Sequence, residues 1–390
     1  MSKILIFTNR LVIGGPSSHI FLLIKELQKS HEVILIGGTP KSGEKYDQNL
    51  LENLSNPPII LSNFSRKINI LNDLFVFIKV IRIIRKHKPD IVHTHTGKPG
   101  LIGRIAAKLC KTKRIVHTYH GFLFENYFPL WIEKIYEKLE NFLCSISDKI
   151  IVLSQSQYNE LALKRSICSK EKIHIVHLGI EYTITDDHYQ KLRDEFREKY
   201  KITEDVVVIG MVGRLTRIKN VDLFLEALEF LLSKKLRLKA FIIGDGEDKK
   251  KLFKSAENKL IKYCDLTKDF KDSSLYFTSW YSNILEVYPA LDMLVSTSLS
   301  EGTPLSLIEA QFSGKAIIAS DVGGVSDIVA NEDLGVLIPS NDLNLLIYSI
   351  EELMFNKERF ILMGNNAKLF AQQNFSSKVM VEKTLEVYFN

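Results

Sequence analysis

The feature that most constrains this 390-residue chain is an alternation that runs, pauses once and starts again. Short apolar runs of strand length are separated by segments whose apolar residues recur at helical spacing. In the first half, strands are expected at Ile4–Phe7, Val33–Ile36, Ile59–Leu61, Ile91–His95, Arg114–Thr118, Ile150–Leu153 and Ile173–Val176. Helices fall near 17–29, 71–87, 99–110, 130–146 and 155–165. A polar stretch, Leu178–His188, interrupts the pattern, and a helix over 188–200 follows. Strands resume at Val206–Val212, Ala240–Ile243, Leu275–Phe277, Met293–Ser296, Ala316–Ala319 and Gly335–Ile338. Helices near 220–233, 247–262, 304–313 and 342–354 separate them, and the tail from 357 to 390 reads as helix alone. Apolar strands with helical crossovers form a parallel sheet covered on both faces. The expected fold class is therefore α/β, with two doubly wound parallel-sheet domains joined near residue 180. Ligands of such sheets bind beyond the carboxyl ends of the strands, where the strand order reverses. With two such domains, the expected site is a cleft between them.

Composition narrows the setting. Cys110, Cys144, Cys168 and Cys264 lie far apart with no CxxC, which excludes a disulfide framework or a zinc ribbon and suits a reducing, cytoplasmic compartment. The opening MSKILIFTNR is broken by Asn9 and Arg10 and does not read as a signal peptide. The most apolar stretch, Ile68–Ile84, contains Asp73, Lys79 and Arg82, so no transmembrane helix is expected. Residues 1–180 hold 26 Lys and Arg against 14 Asp and Glu, a balance of +12; residues 181–390 hold 26 against 32, a balance of −6. One half is thus suited to face something anionic. Aromatic residues are not interleaved with the basic ones there, which argues against nucleic acid. The segment 66–90 combines Phe75, Val76, Ile78, Val80, Ile81, Ile83 and Ile84 with Lys79, Arg82, Arg85, Lys86 and Lys88. It reads either as a helix packed on the sheet with a solvated basic end or as a surface that docks on anionic lipid.

The loops after strands are where chemistry is expected. Gly14-Gly15 precedes a helix; paired glycines let backbone approach a ligand, and a helix N-terminus offers free N–H groups to an anion. Two strand ends are rich in histidine, His93-Thr94-His95 and His117-Thr118-Tyr119-His120. No carboxylate or cysteine accompanies them, so a metal site is disfavoured. His93 and His117 read equally well as structural, and His120, at a loop start before Gly121, as a ligand contact. The acceptor-side candidates are His95, Thr96 and His120. In the second half, Gly213-Arg214-Leu215-Thr216-Arg217-Ile218-Lys219-Asn220 follows a strand. Arg214 and Lys219 supply a planar fork and a point charge suited to a diphosphate, with Asn220 as the expected helix cap. Gly244, in Gly244-Asp245-Gly246, repeats the strand–glycine turn–helix pattern. In Ser298–Ala310, Thr303 is expected to cap a helix whose first residue is Pro304. Gly302 allows close approach to that helix start, Glu301 lies at the turn, and Glu309 is read two turns into the helix. Thr303, Pro304 and Leu305 form the helix start, where the free backbone N–H groups, of which proline supplies none, can hold a phosphate.

The ordered set Gly14-Gly15, His120-Gly121, Val212-Gly213-Arg214-Leu215 with Lys219, Glu301 and Glu309 as E-x7-E, and Ala319–Gly324 resembles a known family. It looks like the retaining, nucleotide-sugar-dependent glycosyltransferases of family 4 (glycosyl transferases group 1), in particular those of bacterial capsule, O-antigen and exopolysaccharide synthesis. The resemblance covers nearly the whole chain. It implies the GT-B fold, two Rossmann-like domains facing across a cleft: 1–182 on the acceptor side, 183–374 binding the nucleotide sugar, and 375–390 as a helix returning to the first domain. It implies that Arg214 and Lys219 bind the donor diphosphate, Glu309 the ribose, and Glu301 the donor-sugar hydroxyls. Gly15 would approach the phosphates, and His120 the transferred sugar. The chain departs from commoner members at Thr303-Pro304, where many carry Phe-Gly, which leaves the donor open; the resemblance suggests a uridine diphosphate sugar. The implied partners are that donor, a glycan or polyprenyl-diphosphate-linked acceptor and an anionic membrane surface, with the enzyme peripheral on the inner face of the cytoplasmic membrane.

Two fixed cations and a helix N-terminus can oppose the charge that develops on a leaving diphosphate, and there is no DxD motif, so metal-independent chemistry is expected. Two carboxyls could also serve a glycosidase, but the basic pair would then have no purpose. A nucleotide-sugar epimerase of the same fold and a catalytically silent sugar-nucleotide-binding protein remain as alternatives.

Overall fold

The computed structural model describes residues 1–12, 15–40, 46, 51–52, 54–62, 64, 69–121, 129–281 and 284–390. Among the described residues, fourteen strands lie in two sheets. In the first half these are β1 (Lys3–Arg10), β2 (Glu32–Gly38), β3 (Ile59–Leu61), β4 (Ile91–His95), β5 (Arg114–Thr118), β6 (Lys149–Val152) and β7 (Ile173–Ile175). They pair in the order β3-β2-β1-β4-β5-β6-β7, in parallel throughout. The second sheet contains β8 (Val207–Val212), β9 (Leu238–Ile243), β10 (Tyr263–Asp265), β11 (Leu275–Ser279), β12 (Met293–Ser296), β13 (Ala316–Ser320) and β14 (Val336–Ile338). Its order, β10-β11-β9-β8-β12-β13-β14, is again all parallel.

These strands form because their side chains are apolar on both faces. β1 buries Ile4, Leu5, Ile6 and Phe7 completely, with Ile4 and Ile6 in one core and Leu5 and Phe7 in the other. Period-two alternation divides consecutive apolar residues between the helical layers above and below the sheet. The described residues divide into two units, Met1–Glu181 with Ser377–Asn390, and Tyr182–Ser376. The first unit therefore recovers the last helix, Ser377–Phe389. Met380, Val381, Val387 and Tyr388 join the core formed by the first helix and strands β1 and β2. Among the described residues, no helix is long and apolar enough to cross a membrane.

Three local expectations are corrected. The stretch read as one helix over 247–262 is a ten-residue helix, Lys249–Asn258, followed by edge strand β10. The helix read over 155–165 is one α-turn, Gln155–Tyr158, that loosens into a π-helix over Asn159–Lys164. Pro304 sits at the cap position, not the first helical one: its helix runs Leu305–Phe312, so Glu309 lies little more than one turn in, rather than two.

Candidate active site

Both sheets reverse their strand order at one point, between β1 and β4 and between β8 and β12. The loops leaving those strands are where an open α/β sheet takes a ligand. Each unit carries a distinct cluster there.

In the second unit, the loop after β8 delivers Lys219 and the loop after β12 delivers Glu301. Lys219 Nζ lies 2.5 Å from Glu301 Oε1, which also accepts a 2.6 Å bond from Ser298 Oγ. The ion pair therefore bridges the two loops of the switch point. Thr297 Oγ1 strengthens the bridge by donating to the carbonyls of Lys219 and Asn220. Asn220 occupies the cap position of helix Val221–Ser233, in the left-handed region at φ 49°, but its side chain does not cap the helix as expected. It donates instead to Asn341 Oδ1 at 2.8 Å. Arg214 is exposed and pairs with Glu247 at 3.2 Å. The two cations read as one diphosphate pair are thus each held by a separate carboxylate.

Backbone packs against backbone around this cluster. Gly244, at φ +141°, would place a Cβ 2.0 Å from the Gly213 carbonyl oxygen; Gly323, at φ +57°, would place one 1.7 Å from that of Glu301. No side chain fits either position, so both glycines keep the loops in register. Gly324 N–H donates to the Gly302 carbonyl at 3.0 Å, tying the Glu301 turn to the loop after β13. Beyond Glu301, Thr303 and Pro304 lead to the helix that starts at Leu305. Its side chain at Glu309 is half-buried and accepts a 2.7 Å bond from the Tyr288 hydroxyl, which also donates to the Ser306 carbonyl. Burial pushes the Glu309 carboxyl up to about 7, against the opposing pull of the tyrosine bond.

In the first unit, the cluster is made of histidines. His95 ends β4, His120 follows β5, and His19 comes from helix Gly15–Leu27 that follows β1. His95 Nδ1 lies 2.9 Å from His120 Nε2, and the His19 ring sits edge-on to both, 5.7 Å from His95 and 5.2 Å from His120. His95 Nε2 and His19 Nδ1 are buried without a hydrogen-bond partner. Burial drives His19 down to about 4 and holds His93, His95, His117 and His120 well below the ordinary imidazole range. These rings are neutral at physiological pH, each able to offer one N–H and one lone pair. Among the described residues, no three His, Cys, Asp or Glu side chains are placed to hold a metal ion.

His93 and His117 are bound into the frame. His93 meets the Tyr388 hydroxyl at 2.6 Å and Thr118 Oγ1 at 2.7 Å; His117 meets Thr94 Oγ1 at 2.8 Å. Thr96 adopts φ 68° and ψ 165°, strained for a residue with a β-branched side chain, and its hydroxyl is buried and unpartnered. The helix that follows, Gly97–Leu109, is anchored by fully buried Arg104, which donates to the Gly100 carbonyl and pairs with Glu140 at 2.8 Å. Gly14 lies outside the described residues, and Gly15 opens the first helix.

Sequence reasoning missed His19, Ser298, Tyr288 and Tyr388. The last two come from a short 3-10 turn and from the far end of the chain, and no local motif marks either. Gly213 and Gly323 are visible in the sequence as glycines that follow strands, but the close backbone contacts that require them are not.

Comparison with known proteins completes the picture. The model for Glycosyltransferase Family 4 matches residues 13–183 and that for Glycosyl transferases group 1 matches residues 193–370. A UDP-Gal:alpha-D-GlcNAc-diphosphoundecaprenol alpha-1,3-galactosyltransferase of Escherichia coli is 29% identical over 360 residues, covering 89% of this chain and 90% of its own. The capsular polysaccharide biosynthesis glycosyltransferase CapM of Staphylococcus aureus is 25% identical, covering 93% and 90%. Among solved structures, a glycosyltransferase from Rickettsia africae superposes with a TM-score of 0.79 at 20% identity, covering 99% and 98%. Anabaena HepE in complex with UDP and glucose superposes with a TM-score of 0.77 at 18% identity, covering 100% and 99%. Two parallel doubly wound sheets, matched from end to end, are the GT-B fold, and the chain belongs to the glycosyltransferases of family 4, with a group 1 glycosyl transferase domain as its second half.

Proposed function

We propose that the protein moves a sugar from a uridine diphosphate sugar to a hydroxyl of a glycan or polyprenyl-diphosphate-linked acceptor, with retention of anomeric configuration, in bacterial surface polysaccharide assembly. The observation that carries the donor assignment is the Lys219–Glu301 ion pair at the β8/β12 switch point. A cation held there opposes the charge that develops on the β-phosphate as the sugar–phosphate bond breaks. The donor phosphate takes Lys219 from Glu301, with Arg214 as the second cation, and the freed carboxylate accepts a hydroxyl of the donor sugar. Glu309 accepts from the ribose, and the backbone N–H groups of Thr303, before the cap, and of Leu305, at the helix start, face the phosphates. Lysine, arginine and helix N-terminus together replace a metal ion. Neutral His120 contacts the transferred sugar, while His95 and Thr96 face the acceptor with uncharged polar atoms. The Escherichia coli relative is named for a diphosphoundecaprenol substrate, which supports a lipid-linked acceptor. Such an acceptor would place the enzyme peripherally on the cytoplasmic face of the membrane.

A donor screen tests this. The protein is incubated with a panel of nucleotide sugars, with and without lipid-linked acceptors. One uridine donor should protect against thermal unfolding, hydrolyse slowly alone and transfer rapidly with an acceptor. Epimerised donor in the absence of acceptor, or protection by no nucleotide sugar, would overturn the reading.

A further inference from the structure

Two helices of the first unit carry outward faces that the sugar chemistry does not use. In helix Ile70–His87, Val76, Val80, Ile83 and Ile84 turn inward onto the sheet. The opposite face begins apolar and ends basic. Ile70, Leu71, Leu74 and Phe75 are 80%, 72%, 55% and 70% exposed, and Lys79, Arg82, Arg85 and Lys86 follow on the same exposed face. In helix Leu130–Ile146, Leu130 and Trp131 are 77% and 65% exposed, and Ile135 and Phe142 are exposed beside Lys134 and Lys138.

Every acidic residue of these two helices is withdrawn from the outward faces into an ion pair. Asp73 pairs with Lys98 at 2.5 Å, Glu140 with buried Arg104 at 2.8 Å, and Glu133 and Glu137 with Arg165. The outward surfaces therefore combine large apolar groups with cations that have no acidic partner among the described residues. Both helices are right-handed crossovers running in the same direction across the sheet, from β3 to β4 and from β5 to β6, so they cover the same side of it. Helix Gly97–Leu109 packs against both of them. Their apolar N-terminal halves lie toward the carboxyl ends of the strands, the end that carries His95, Thr96 and His120.

Isolated exposed apolar residues are ordinary, but a cluster of this kind marks a binding surface. Cations without acids, a tryptophan and aliphatic side chains on a helix face match an anionic bilayer interface. We propose that the N-terminal halves of these two helices insert shallowly into an anionic membrane, with Leu71, Leu74, Phe75, Leu130 and Trp131 among the acyl–headgroup boundary and the six basic residues on lipid phosphates. This deepens the membrane location given above and does not depend on which donor is used. It replaces a purely electrostatic attachment by one with an apolar component.

Trp131 reports on the insertion directly. The chain has two tryptophans, Trp131 and Trp280, so Trp280→Phe leaves a single tryptophan to excite selectively. With vesicles of phosphatidylglycerol and phosphatidylcholine, Trp131 emission should shift to the blue and be quenched by lipids brominated near the headgroup. Binding should weaken in high salt without vanishing. A Leu71→Ser/Leu74→Ser/Phe75→Ser variant should partition at least tenfold more weakly, since burying each such side chain is worth roughly a factor of ten or more. Transfer to a water-soluble acceptor should be unchanged in that variant, which separates failure of docking from failure of the proposed chemistry. An unshifted Trp131, equal binding to pure phosphatidylcholine, or an unaffected triple variant would overturn the proposal. So would a dimer in sedimentation that the triple variant dissolves, because the face would then belong to a second copy of the chain.

Discussion

The clusters at the two switch points solve opposite electrostatic problems. In the first unit, His19, His93, His95, His117 and His120 gather where burial keeps them all neutral. In the second, Lys219 and Glu301 form an ion pair at 2.5 Å, and Glu309 is a carboxyl poised near neutrality. The same topology thus presents uncharged hydrogen-bonding groups in one unit and movable charge in the other. A sugar hydroxyl needs the first, and a diphosphate leaving group needs the second. The difference also sets opposite responses to pH, because desolvation disfavours the charged form of either group.

The largest effect should come from breaking the charged cluster. Lys219→Ala removes the cation proposed to oppose the leaving phosphate and should lower kcat about 100- to 1,000-fold, the range seen when one transition-state donor is lost. Steady-state kinetics with saturating donor reads this, and the melting temperature confirms that the fold persists. A change smaller than about threefold would place the leaving-group charge elsewhere.

The pH contrast is next in size. His19 falls from 6.5 to about 4 on burial, so the unfolded chain binds the extra proton first. Its contribution is present above 6.5 and is lost as pH falls toward 4, by roughly 2–3 kcal/mol. Urea denaturation should show His19→Asn to be less acid-sensitive than the parent protein between pH 6.5 and 4.5. Glu309 runs the other way. Its carboxyl rises from 4.5 to about 7, so the folded chain keeps the proton longer and stability declines as pH rises through that window. Glu309→Gln should flatten that decline by about 2 kcal/mol, allowing for the screening of a half-buried group. Parallel pH slopes for parent and variant would contradict either assignment.

The smallest expected effect is none. Transfer in excess chelator should match transfer without it, because Arg214, Lys219 and the helix start at Leu305 are assigned the work of a cation. Activity lost in chelator and restored by manganese or magnesium would end that part of the account.

The sequence made the sheets legible because their strands are buried on both faces and interrupted by helices of ordinary length. It did not show β10, since Tyr263-Cys264-Asp265 lacks the apolar run that marks the equally short edge strands β3, β7 and β14. Glu301 and Lys219 were each visible at a loop start, but their contact spans 82 residues and arises only where the strand order reverses. The histidines of β4 and β5 announced themselves in pairs. His19 did not, because it sits on a helix and joins the others only through the β1–β4 pairing. Tyr388 reaches His93 from 295 residues away, through a C-terminal helix that belongs to the first unit.

In the proposed function the second unit divides the donor between two glutamates, with Glu309 on the nucleotide and Glu301 on the sugar. Calorimetric titration with free uridine diphosphate, in chelator, separates them. Glu309→Ala should bind the nucleotide roughly 10- to 100-fold more weakly, the cost of one hydrogen bond to a charged group. Glu301→Gln should bind it within about threefold of the parent protein while losing most of its turnover with the sugar donor, because the free nucleotide lacks the sugar whose hydroxyl Glu301 is proposed to accept. Equal weakening of nucleotide binding by the two substitutions would contradict the account.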